Sequence, residues 1–382
     1  MTARLLLLAS ALLFSMLIAE LGLRVLGISH ASIGTVDPVR GWALRPGASA
    51  HKSTEGESDV EINADGQRDR LHARQKPPGT FRIAVLGDSF TLASHVAVEQ
   101  TYWSILESLL EECSGLAGRT PEVINFGVTG YGTAQELLTL RHHVWEYEPD
   151  LVLLAFLPGN DFKNNSRALA QDPLAPYMLL ENGELVLDDR FRDSREFRNK
   201  KWAYNALHYS WLAQVVKQAW VGSQAMLRQG VRPTAEGVFL DYDHRLYREP
   251  DTAVWQDAWA VTEAILQQMN REVRERDAML VVTTLSSGLQ VYPDRSSREK
   301  VYATAGIDDP FYADHRLRAA GDRFGFPVIT LAPRMLEHAE REQVYLHGFQ
   351  NTVMGIGHWN VDGHALVAEL AARDLCEILD RP

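Results

Sequence analysis

The segment Arg82-Ile83-Ala84-Val85-Leu86-Gly87-Asp88-Ser89 is an apolar run that ends in a glycine and two polar residues. An unbroken apolar run of this length is typical of a strand buried on both faces, as in a parallel sheet. Similar runs follow at 122–126, 150–157, 278–285 and 327–331. The segment therefore predicts the first strand of a parallel sheet, with Ser89 just beyond its carboxyl end.

Stretches with helical spacing alternate with these runs, at 102–113, 134–147, 253–276, 315–324 and 361–379. Strands that alternate with helices indicate an α/β protein, in which helices cover both faces of a parallel sheet. In such open sheets ligands bind beyond the carboxyl ends of the strands. We therefore expect functional residues at the ends of the apolar runs.

The composition excludes some functions. The 382 residues carry a formal net charge of −12 with no Lys- or Arg-rich run, which argues against nucleic acid as a partner because that binding rests on cationic contacts to phosphates. Cys113 and Cys376 lie far apart and form no CxxC or Cys/His cluster. We therefore expect neither a metal nor a cofactor, and we expect the cysteines to be buried free thiols rather than a disulfide framework.

The N-terminus predicts export. Arg4 precedes an apolar run from Leu5 to Ala19, and the apolar pattern resumes after Glu20. The clean run is shorter than the roughly 20 residues of a spanning helix, but no small-x-small cleavage site follows closely. These features favour an uncleaved signal anchor over a cleaved signal peptide. In either case we expect the rest of the chain to be extracytoplasmic, at the cell surface or in a periplasm, and secreted if the segment is cleaved.

The remaining chain divides by composition. Residues 1–28 are predicted to be the anchor, 29–78 a linker that partly packs on the body, and 79–382 one domain with an insertion at about 162–250 that packs over one end of the sheet. The insertion is rich in aromatic residues. They either line a sugar-binding surface or lie in the core, and their helical spacing favours the core: Trp202, Tyr204, Tyr209, Trp211 and Trp220.

Four polar clusters have the residue types of a serine hydrolase. They are 87–89, 125–130 and 159–161, each after a predicted strand, and 357–360 before the last helix. A serine hydroxyl needs a base to take its proton, and Ser89 and His358 supply that pair. The oxyanion that forms needs fixed donors, which Gly130 and Asn160 can provide through backbone and amide N–H groups.

These clusters resemble the SGNH (GDSL-type) hydrolase family. Gly87-Asp88-Ser89-Phe90 matches its first block, and Gly130, Asn160 and His358 match the second, third and last. The resemblance implies a flavodoxin-like three-layer α/β/α fold and esterase, lipase or deacetylase activity on acylated sugars, lipids or envelope polymers. It also implies an oxyanion hole made by the backbone N–H groups of Ser89 and Gly130 with the Asn160 amide.

One position departs from the family pattern. An Asp usually stands two or three residues before the catalytic His to orient it, but here Ile356 and Gly355 occupy those positions. Either a Ser–His dyad works with a backbone carbonyl, or a carboxylate comes from elsewhere. The candidate carboxylates are Asp308, Asp309, Asp314 and Asp362.

Other polar residues near these clusters have structural interpretations. Asp88 and Asp161 are expected to cap turns. His347 and His364 are alternatives to His358 as the base, and His364 is expected to face the core or a neighbouring loop.

The sequence thus predicts an exported, membrane-anchored hydrolase that removes short acyl groups from an acylated carbohydrate or lipid. Two alternatives stay open. The same residues serve an O-acyltransferase, in which a sugar hydroxyl replaces water as the acceptor. The missing Asp also allows a non-catalytic polysaccharide-binding protein on the same fold.

Overall fold

The computed structural model describes residues 2–30, 32–229, 240 and 242–381. The strands there are β1 Gly34–Asp37, β2 Gly41–Leu44, β3 Ser49–Lys52, β4 Ser58–Glu61, β5 Thr80–Gly87, β6 Thr120–Asn125, β7 Leu151–Phe156, β8 Tyr177–Glu181, β9 Glu184–Asp188, β10 Met279–Thr284 and β11 Val328–Thr330. The α-helices are α1 Thr2–Leu26, α2 Ser89–Leu92, α3 Tyr102–Leu110, α4 Thr133–His142, α5 Pro158–Asn165, α6 Arg167–Ala170, α7 Arg195–Tyr209, α8 Trp211–Gln229, α9 Ala253–Arg274, α10 Arg295–Ala305, α11 Tyr312–Phe324, α12 Ala332–Glu342 and α13 Val361–Leu379.

Five strands form one parallel sheet in the order β11-β10-β7-β5-β6. Ile83 of β5 pairs with Leu151 of β7 on one side and with Val123 of β6 on the other. When these strands are counted along the chain, the order is 2-1-3-4-5, which is the flavodoxin-like order. Ligands bind in such sheets where the order reverses, beside the first strand. The predicted flavodoxin-like parallel sheet is confirmed, and Ser89 lies at its switch point.

Side chains of the central strands alternate between two cores. Ala84 and Leu86 of β5 pack on one face with residues of α4, α9 and α11. Ile83 and Val85 pack on the other face with residues of α3, α12 and α13. Because both faces are covered, the strands are apolar throughout, as a sheet between two helical layers requires. The predicted three-layer α/β/α architecture is confirmed.

Two hairpins precede the sheet. β1 pairs with β2 and β3 with β4, both antiparallel. Leu44 and Val60 of these hairpins are buried against Leu92 and Val128, which follow β5 and β6. The hairpins therefore lie at the carboxyl ends of the strands, where the site is expected. The division of the chain into 1–28, 29–78 and 79–382 stays a prediction.

The insertion contains the hairpin β8–β9 and the helices α7 and α8. Three of the five aromatic residues named above do not lie in the core that their spacing favoured. Trp202, Tyr209 and Trp220 are 74%, 72% and 66% exposed, so that interpretation is wrong for these three. Helical spacing shows that residues share a face of a helix. It does not show whether that face packs against the protein or is exposed.

The other two of the five named aromatic residues, Tyr204 and Trp211, are half-buried. Tyr204 packs edge-on against Trp42 of β2, with ring centroids 5.2 Å apart. The ring of Trp211 lies 5.6 Å from the guanidinium of Arg24 in α1. These contacts join the insertion to the N-terminal part of the chain.

Cys113 and Cys376 form a disulfide, with Cα atoms 5.6 Å apart. The expectation of free thiols is therefore wrong. Cys113 follows α3 and Cys376 lies in α13, and these two helices pack against each other on one face of the sheet. The packing of two elements distant in sequence brings the sulfurs together, and no local pattern announces it.

α1 contains one apolar stretch, Ala3–Leu26, with a mean hydropathy of 2.2 and none of it buried. Among the helices of the described residues, α1 is the one that is long and apolar enough to cross a membrane. The apolar segment of a signal peptide meets the same two criteria. An N-terminal apolar helix of the predicted kind is thus present.

Candidate active site

Ser89 opens α2 directly after β5. Asp88 caps this helix, because its Oδ1 accepts a hydrogen bond of 2.9 Å from the backbone N–H of Phe90. Asp88 is fully buried, whereas Ser89 keeps 9% exposure. The chain thus turns sharply from strand to helix and presents the Ser89 hydroxyl at the edge of the sheet. Capping by Asp88 is the role that the sequence favoured.

His358 reaches Ser89 from the loop before α13. Its Nε2 lies 2.8 Å from Ser89 Oγ. The loop is fixed by a bridge between His347 and Trp359 and by Asn360, whose side chain caps α13 at the N–H of Gly363. A neutral imidazole with Nε2 as acceptor at this distance can take the hydroxyl proton. The structure therefore brings together the two residues that the sequence paired.

Glu55, in the turn between β3 and β4, orients His358. Its Oε2 lies 2.8 Å from His358 Nδ1, and its Oε1 accepts the backbone N–H of His358 at 2.7 Å. Within the described residues, the imidazole of His358 forms hydrogen bonds with Glu55 and Ser89. Of the two alternatives, a carboxylate from elsewhere in the chain is the one found. The backbone carbonyl and the four named aspartates are wrong, because that carboxylate belongs to Glu55.

Those four aspartates have other surroundings. Asp309 accepts the N–H of Phe311, and Asp314 is buried beside Thr284 and Gln290. Asp308 is exposed, and Asp362 lies in the first turn of α13. None of them replaces Glu55 as the partner of His358.

The loop before His358 holds the Glu55 turn. The Asn351 side chain accepts the N–H of Gly56 at 3.0 Å and donates to the carbonyls of Ser53 and Gly56 at 3.0 and 2.9 Å. These three bonds span the turn on either side of Glu55. The segment in which the family places its acid thus contributes an amide that positions an acid from another part of the chain.

Two glycines allow the carboxylate to come this close. Gly357 has a φ of +90°, and a Cβ there would lie 2.3 Å from Glu55 Oε1. Gly56 has a φ of +64°, and a Cβ there would lie 2.2 Å from the carbonyl oxygen of His95. Both positions need the left-handed region and have no room for a side chain.

The Glu55 carboxylate is held in its charged form. Burial acts to raise its pKa, but the hydrogen bonds from the side chain and backbone of His358 outweigh burial and lower the pKa to about 2. An ionised carboxylate at Nδ1 fixes the tautomer in which Nε2 faces Ser89, and it stabilises the imidazolium that forms when Nε2 takes a proton.

His95 is a neighbour that sequence reasoning missed. Its ring stacks on that of His358 with centroids 3.9 Å apart, and its Nε2 lies 3.5 Å from Glu55 Oε2. Burial and then the charge of His358 lower the pKa of His95 to about 3. The loop that carries His95 is held by the buried Arg68, whose guanidinium donates to the carbonyls of Leu92 and Val96.

Asn160 lies in the first turn of α5, beside Asp88. Its Nδ2 donates to Asp88 Oδ2 at 2.8 Å. Since a primary amide has two N–H donors, one remains for another acceptor. Asp161, which the sequence also placed in a turn, accepts the N–H of Leu157 at 2.7 Å and the hydroxyl of Thr133 at 3.0 Å. Burial, reinforced by the charge of Asp88, raises its pKa well above the usual range.

Gly130 lies in the exposed loop after β6, with a φ of +79°. Asn164 of α5 donates to its carbonyl oxygen at 3.3 Å, which joins the second polar cluster to the helix that carries the third. Gly130 and Leu92 also border a cavity of about 490 Å³, which Trp42, Tyr131 and several residues of the N-terminal part and α8 complete. The cavity thus reaches Leu92, at the end of the short helix that Ser89 opens, but Ser89 and His358 do not line it.

The two alternative histidines are buried. His347 bonds through Nδ1 to the carbonyl of Gly357 at 2.7 Å and through Nε2 to Ser286 Oγ at 2.9 Å, and burial lowers its pKa to about 4. His364 accepts the N–H of Tyr102 at 3.2 Å, and burial lowers its pKa to about 3. Both support the core around the site, as the sequence indicated for His364.

Glu55, His95 and His358 form a group whose potential ligand atoms lie within 4.8 Å of one another. Such a set could hold a divalent cation. In this arrangement the imidazole nitrogens of His358 are already engaged by Glu55 and Ser89. A cation bound there would compete with those hydrogen bonds.

No protein-family model and no curated protein matches the sequence. Solved structures that resemble the fold include the acetyl xylan esterase AlAXEase, with 13% identity, a TM-score of 0.38, and coverage of 77% of this chain and 100% of that one. A putative lipolytic protein of G-D-S-L family from Desulfitobacterium hafniense has 9% identity, a TM-score of 0.35, and coverage of 77% and 99%.

A catalytic mutant of an acetylxylan esterase from Geobacillus stearothermophilus has 11% identity, a TM-score of 0.37, and coverage of 77% of this chain and 94% of that one. At such identities and TM-scores, similarity alone says nothing about the activity of this chain. The resemblance to the SGNH hydrolases rests on the four sequence blocks, and its chemistry on the site geometry described above. Esterases and a G-D-S-L family protein are thus among the solved structures to which this chain is similar.

Proposed function

We propose that this chain is a serine esterase of the SGNH type, with Ser89 as nucleophile, His358 as general base and Glu55 as the orienting acid. The observation that carries the proposal is the unbroken line of hydrogen bonds from Ser89 Oγ to His358 Nε2, and from His358 Nδ1 to Glu55. Each link measures 2.8 Å, which is within reach for proton transfer.

The reaction follows from these contacts. Ser89 Oγ attacks the acyl carbonyl while His358 Nε2 takes the hydroxyl proton. When the tetrahedral intermediate collapses, the imidazolium returns that proton to the departing alcohol, and an acyl ester of Ser89 remains. Water then attacks this ester with the same base, which releases the carboxylic acid and restores the hydroxyl.

The oxyanion of the tetrahedral intermediate needs fixed donors. The donors in this proposal are the backbone N–H groups of Ser89 and Gly130 and the second N–H of the Asn160 amide. Support comes from Asp88, which binds the other amide hydrogen of Asn160 and so fixes its orientation. Removal of one such donor costs about 10²–10³-fold in kcat in serine hydrolases, and we expect Asn160→Ala to fall in that range.

The substrate class is an acylated carbohydrate or lipid, as the family resemblance implies. The cavity beside Gly130 gives room for the alcohol part of such an ester, because it extends from this glycine to Trp42 and α8. A non-catalytic polysaccharide-binding role was motivated by the absence of an orienting acid. Glu55 fills that position, so this motivation no longer holds.

We place the catalytic part outside the cytoplasm, with α1 as a membrane anchor. The disulfide between Cys113 and Cys376 supports export, since disulfides persist in oxidising compartments. Retention of α1 is supported by its contacts with the insertion, where Glu20 accepts the N–H groups of Trp211 and Leu212 at 3.1 and 2.9 Å.

Hydrolysis of p-nitrophenyl acetate and of acetylated xylo-oligosaccharides by the full chain in detergent tests this function. We expect turnover that Ser89→Ala abolishes and that Asp309→Asn leaves unchanged, since the Asp309 carboxylate bonds to Phe311 and His315 and not to His358. Absence of turnover on a panel of acyl esters, or equal turnover by Ser89→Ala, would overturn the proposal.

The same assay separates hydrolysis from acyl transfer. When an excess of unacylated oligosaccharide is added, an esterase still releases one free acid for each ester that it consumes, as it does without the oligosaccharide. An O-acyltransferase instead forms acylated acceptor at the expense of free acid. Product analysis by mass spectrometry therefore distinguishes the two functions that the sequence left open.

A further inference from the structure

The cavity of about 490 Å³ beside Gly130 has a cationic lining, although the whole chain is acidic. The chain contains seven lysines, and three of them line this one cavity: Lys52, Lys200 and Lys217. Among the described lining residues the acid is Asp172, whose carboxylate already accepts the backbone N–H of Leu174 at 2.9 Å. The lining of this lysine-lined cavity therefore carries an excess of positive charge.

The three ammonium groups are available to a ligand. Among the described residues, the lysine that forms an ion pair is Lys76, which pairs with Asp150 outside the cavity. Lys217 lies with its ammonium 5.4 Å from the ring centroid of Tyr204, an aromatic neighbour that does not neutralise the charge. A concave site lined by charges of one sign focuses the electric field and attracts ligands of the opposite sign. The cavity is therefore suited to an anionic ligand.

The cavity lies next to the proposed catalytic centre. Leu92, at the end of α2, and Gly130, a proposed oxyanion donor, both border it. Lys52 ends β3, three residues before Glu55. Burial is the largest cause that lowers the pKa of His95, and the charge of Lys52 is among the smaller causes that act in the same direction. An ester whose carbonyl lies at Gly130 would thus extend its alcohol part into the lysine-lined cavity.

Other lining groups suit a carbohydrate. Thr129 and Gln218 supply a hydroxyl and an amide, which both donate and accept hydrogen bonds, as sugar hydroxyls do. Trp42 adds an aromatic surface. A volume of about 490 Å³ lies within the range of about 300–1,000 Å³ that is typical of small-molecule sites. The cavity thus combines hydrogen-bonding groups and an aromatic ring with positive charge.

We propose that the lysine-lined cavity selects an anionic alcohol part, so that the preferred substrate is an acylated glycan that carries carboxylate or phosphate groups. Lys200 and Lys217 bind these groups while the ester carbonyl lies at Gly130. The lysines determine specificity and take no part in the bond changes at Ser89. This inference rests on the proposed function, because it names the substrate class of the same site.

Initial rates of acetate release by the full chain in detergent test the proposal. One substrate pair is acetylated trigalacturonate and the same oligomer with its carboxylates converted to primary amides. A second pair, acetylated glucose 6-phosphate and acetylated glucose, tests phosphate in place of carboxylate. The double variant Lys200→Met, Lys217→Met removes charge from the cavity. Lys300→Met is the matched control, because Lys300 is an exposed lysine of α10 that does not line the cavity.

We expect wild type and Lys300→Met to have a kcat/KM about 10-fold higher for the charged member of at least one pair, as a few exposed ion pairs together provide. The double variant should lose most of this preference. Salt at about 1 M should weaken the preference of wild type, because charges are then screened beyond about 3 Å. Equal values for the charged and neutral members of both pairs, or a preference that the double variant keeps, would overturn the inference.

Hydrolysis of p-nitrophenyl acetate separates this inference from the proposed function, since this small neutral ester has no anionic alcohol part to bind. If wild type hydrolyses it but shows no charge preference, the role of the cavity fails and the esterase function stands. If wild type hydrolyses no ester, the proposed function fails, and calorimetry with trigalacturonate and glucose 6-phosphate decides the role of the cavity. Binding that the double variant loses would support that role, and absent or equal binding would overturn it.

Discussion

Glu55 and His358 lie 303 residues apart in sequence and form two hydrogen bonds, one to the imidazole and one to the backbone N–H. The carboxylate therefore fixes both the ring and the chain segment that carries it. An acid from a hairpin turn thus takes the place of the aspartate expected just before the histidine. The candidate active site is therefore completed by the N-terminal hairpins and not by the sheet alone.

The charge of Glu55 predicts a simple pH behaviour. Because the pKa of this carboxyl is lowered to about 2, it stays ionised wherever the enzyme works. We expect infrared difference spectra between wild type and Glu55→Gln to show the carboxylate stretch of Glu55 unchanged in intensity from pH 9 to pH 5. A carboxylate band that is replaced by a protonated carboxyl band between pH 6 and 5 would contradict this assignment.

The same lowered pKa affects stability. Ionised Glu55 stabilises the folded state above its unfolded pKa of 4.5, and this contribution is lost as the pH falls towards 2. Above pH 4.5 the free energy of unfolding of wild type should therefore exceed that of Glu55→Gln. This difference should shrink as the pH falls below 4.5.

Gly357→Ala should lower kcat by displacing Glu55. A Cβ at position 357 would lie 2.3 Å from the carboxylate, so the hydrogen bonds to His358 cannot persist. Gly183→Ala is the matched control, since Gly183 has a similar φ of +85° with open space around it. Both variants lose about 1–2 kcal/mol from a side chain in the left-handed region, so equal kcat values in steady-state assays would refute the role of Gly357.

His95 should act through its ring and not through a proton. Since burial lowers its pKa to about 3, it is neutral at working pH, and its ring packs on His358. We expect His95→Ala to reduce kcat about 10-fold through misplacement of the base. His95→Phe, which keeps an aromatic ring, should recover most of kcat with an unchanged pH profile. An inactive His95→Phe would show that the imidazole itself is required.

Loss of the disulfide should reduce stability without changing the chemistry. Cys113 and Cys376 close a loop of 263 residues, and a cross-link of this kind stabilises a protein by about 2–5 kcal/mol. The double variant Cys113→Ala, Cys376→Ala should therefore have a lower Tm by calorimetry and the wild-type kcat at 25 °C. A reduced kcat in the fully folded variant would show an unexpected link to the site.

The sequence was sufficient for the sheet and for most of the site. Buried parallel strands are apolar throughout, and their carboxyl ends meet at one edge, so Ser89 and Asn160 could be placed together. His358 could be added because its block stands just before a helix. These inferences depend on local patterns, on the rules of α/β topology and on the resemblance to the four SGNH blocks.

Glu55 could not be found in this way. The turn Thr54-Glu55-Gly56 has the composition of any exposed hairpin, and only packing of that hairpin on α2 and on the loop at Asn351 brings it to His358. A glycine directly before His358 was the one local signal, because it leaves room for an approaching group. The disulfide was missed for the same reason, since it joins two helices that are distant in sequence. The exposure of the aromatic residues of α7 and α8 was missed because it depends on which distant elements pack against these helices.

Labelling by a fluorophosphonate tests the central claim most directly, because it reports the nucleophilicity of Ser89 without a known substrate. We expect mass spectrometry to find the adduct on Ser89 in wild type and none in Ser89→Ala. Asp309→Asn should react at the wild-type rate, and Glu55→Gln should react about 10²–10⁴-fold more slowly, as when a triad loses its orienting acid. An unlabelled wild type, or a Glu55→Gln variant that reacts as fast as wild type, would contradict the Ser89–His358–Glu55 triad.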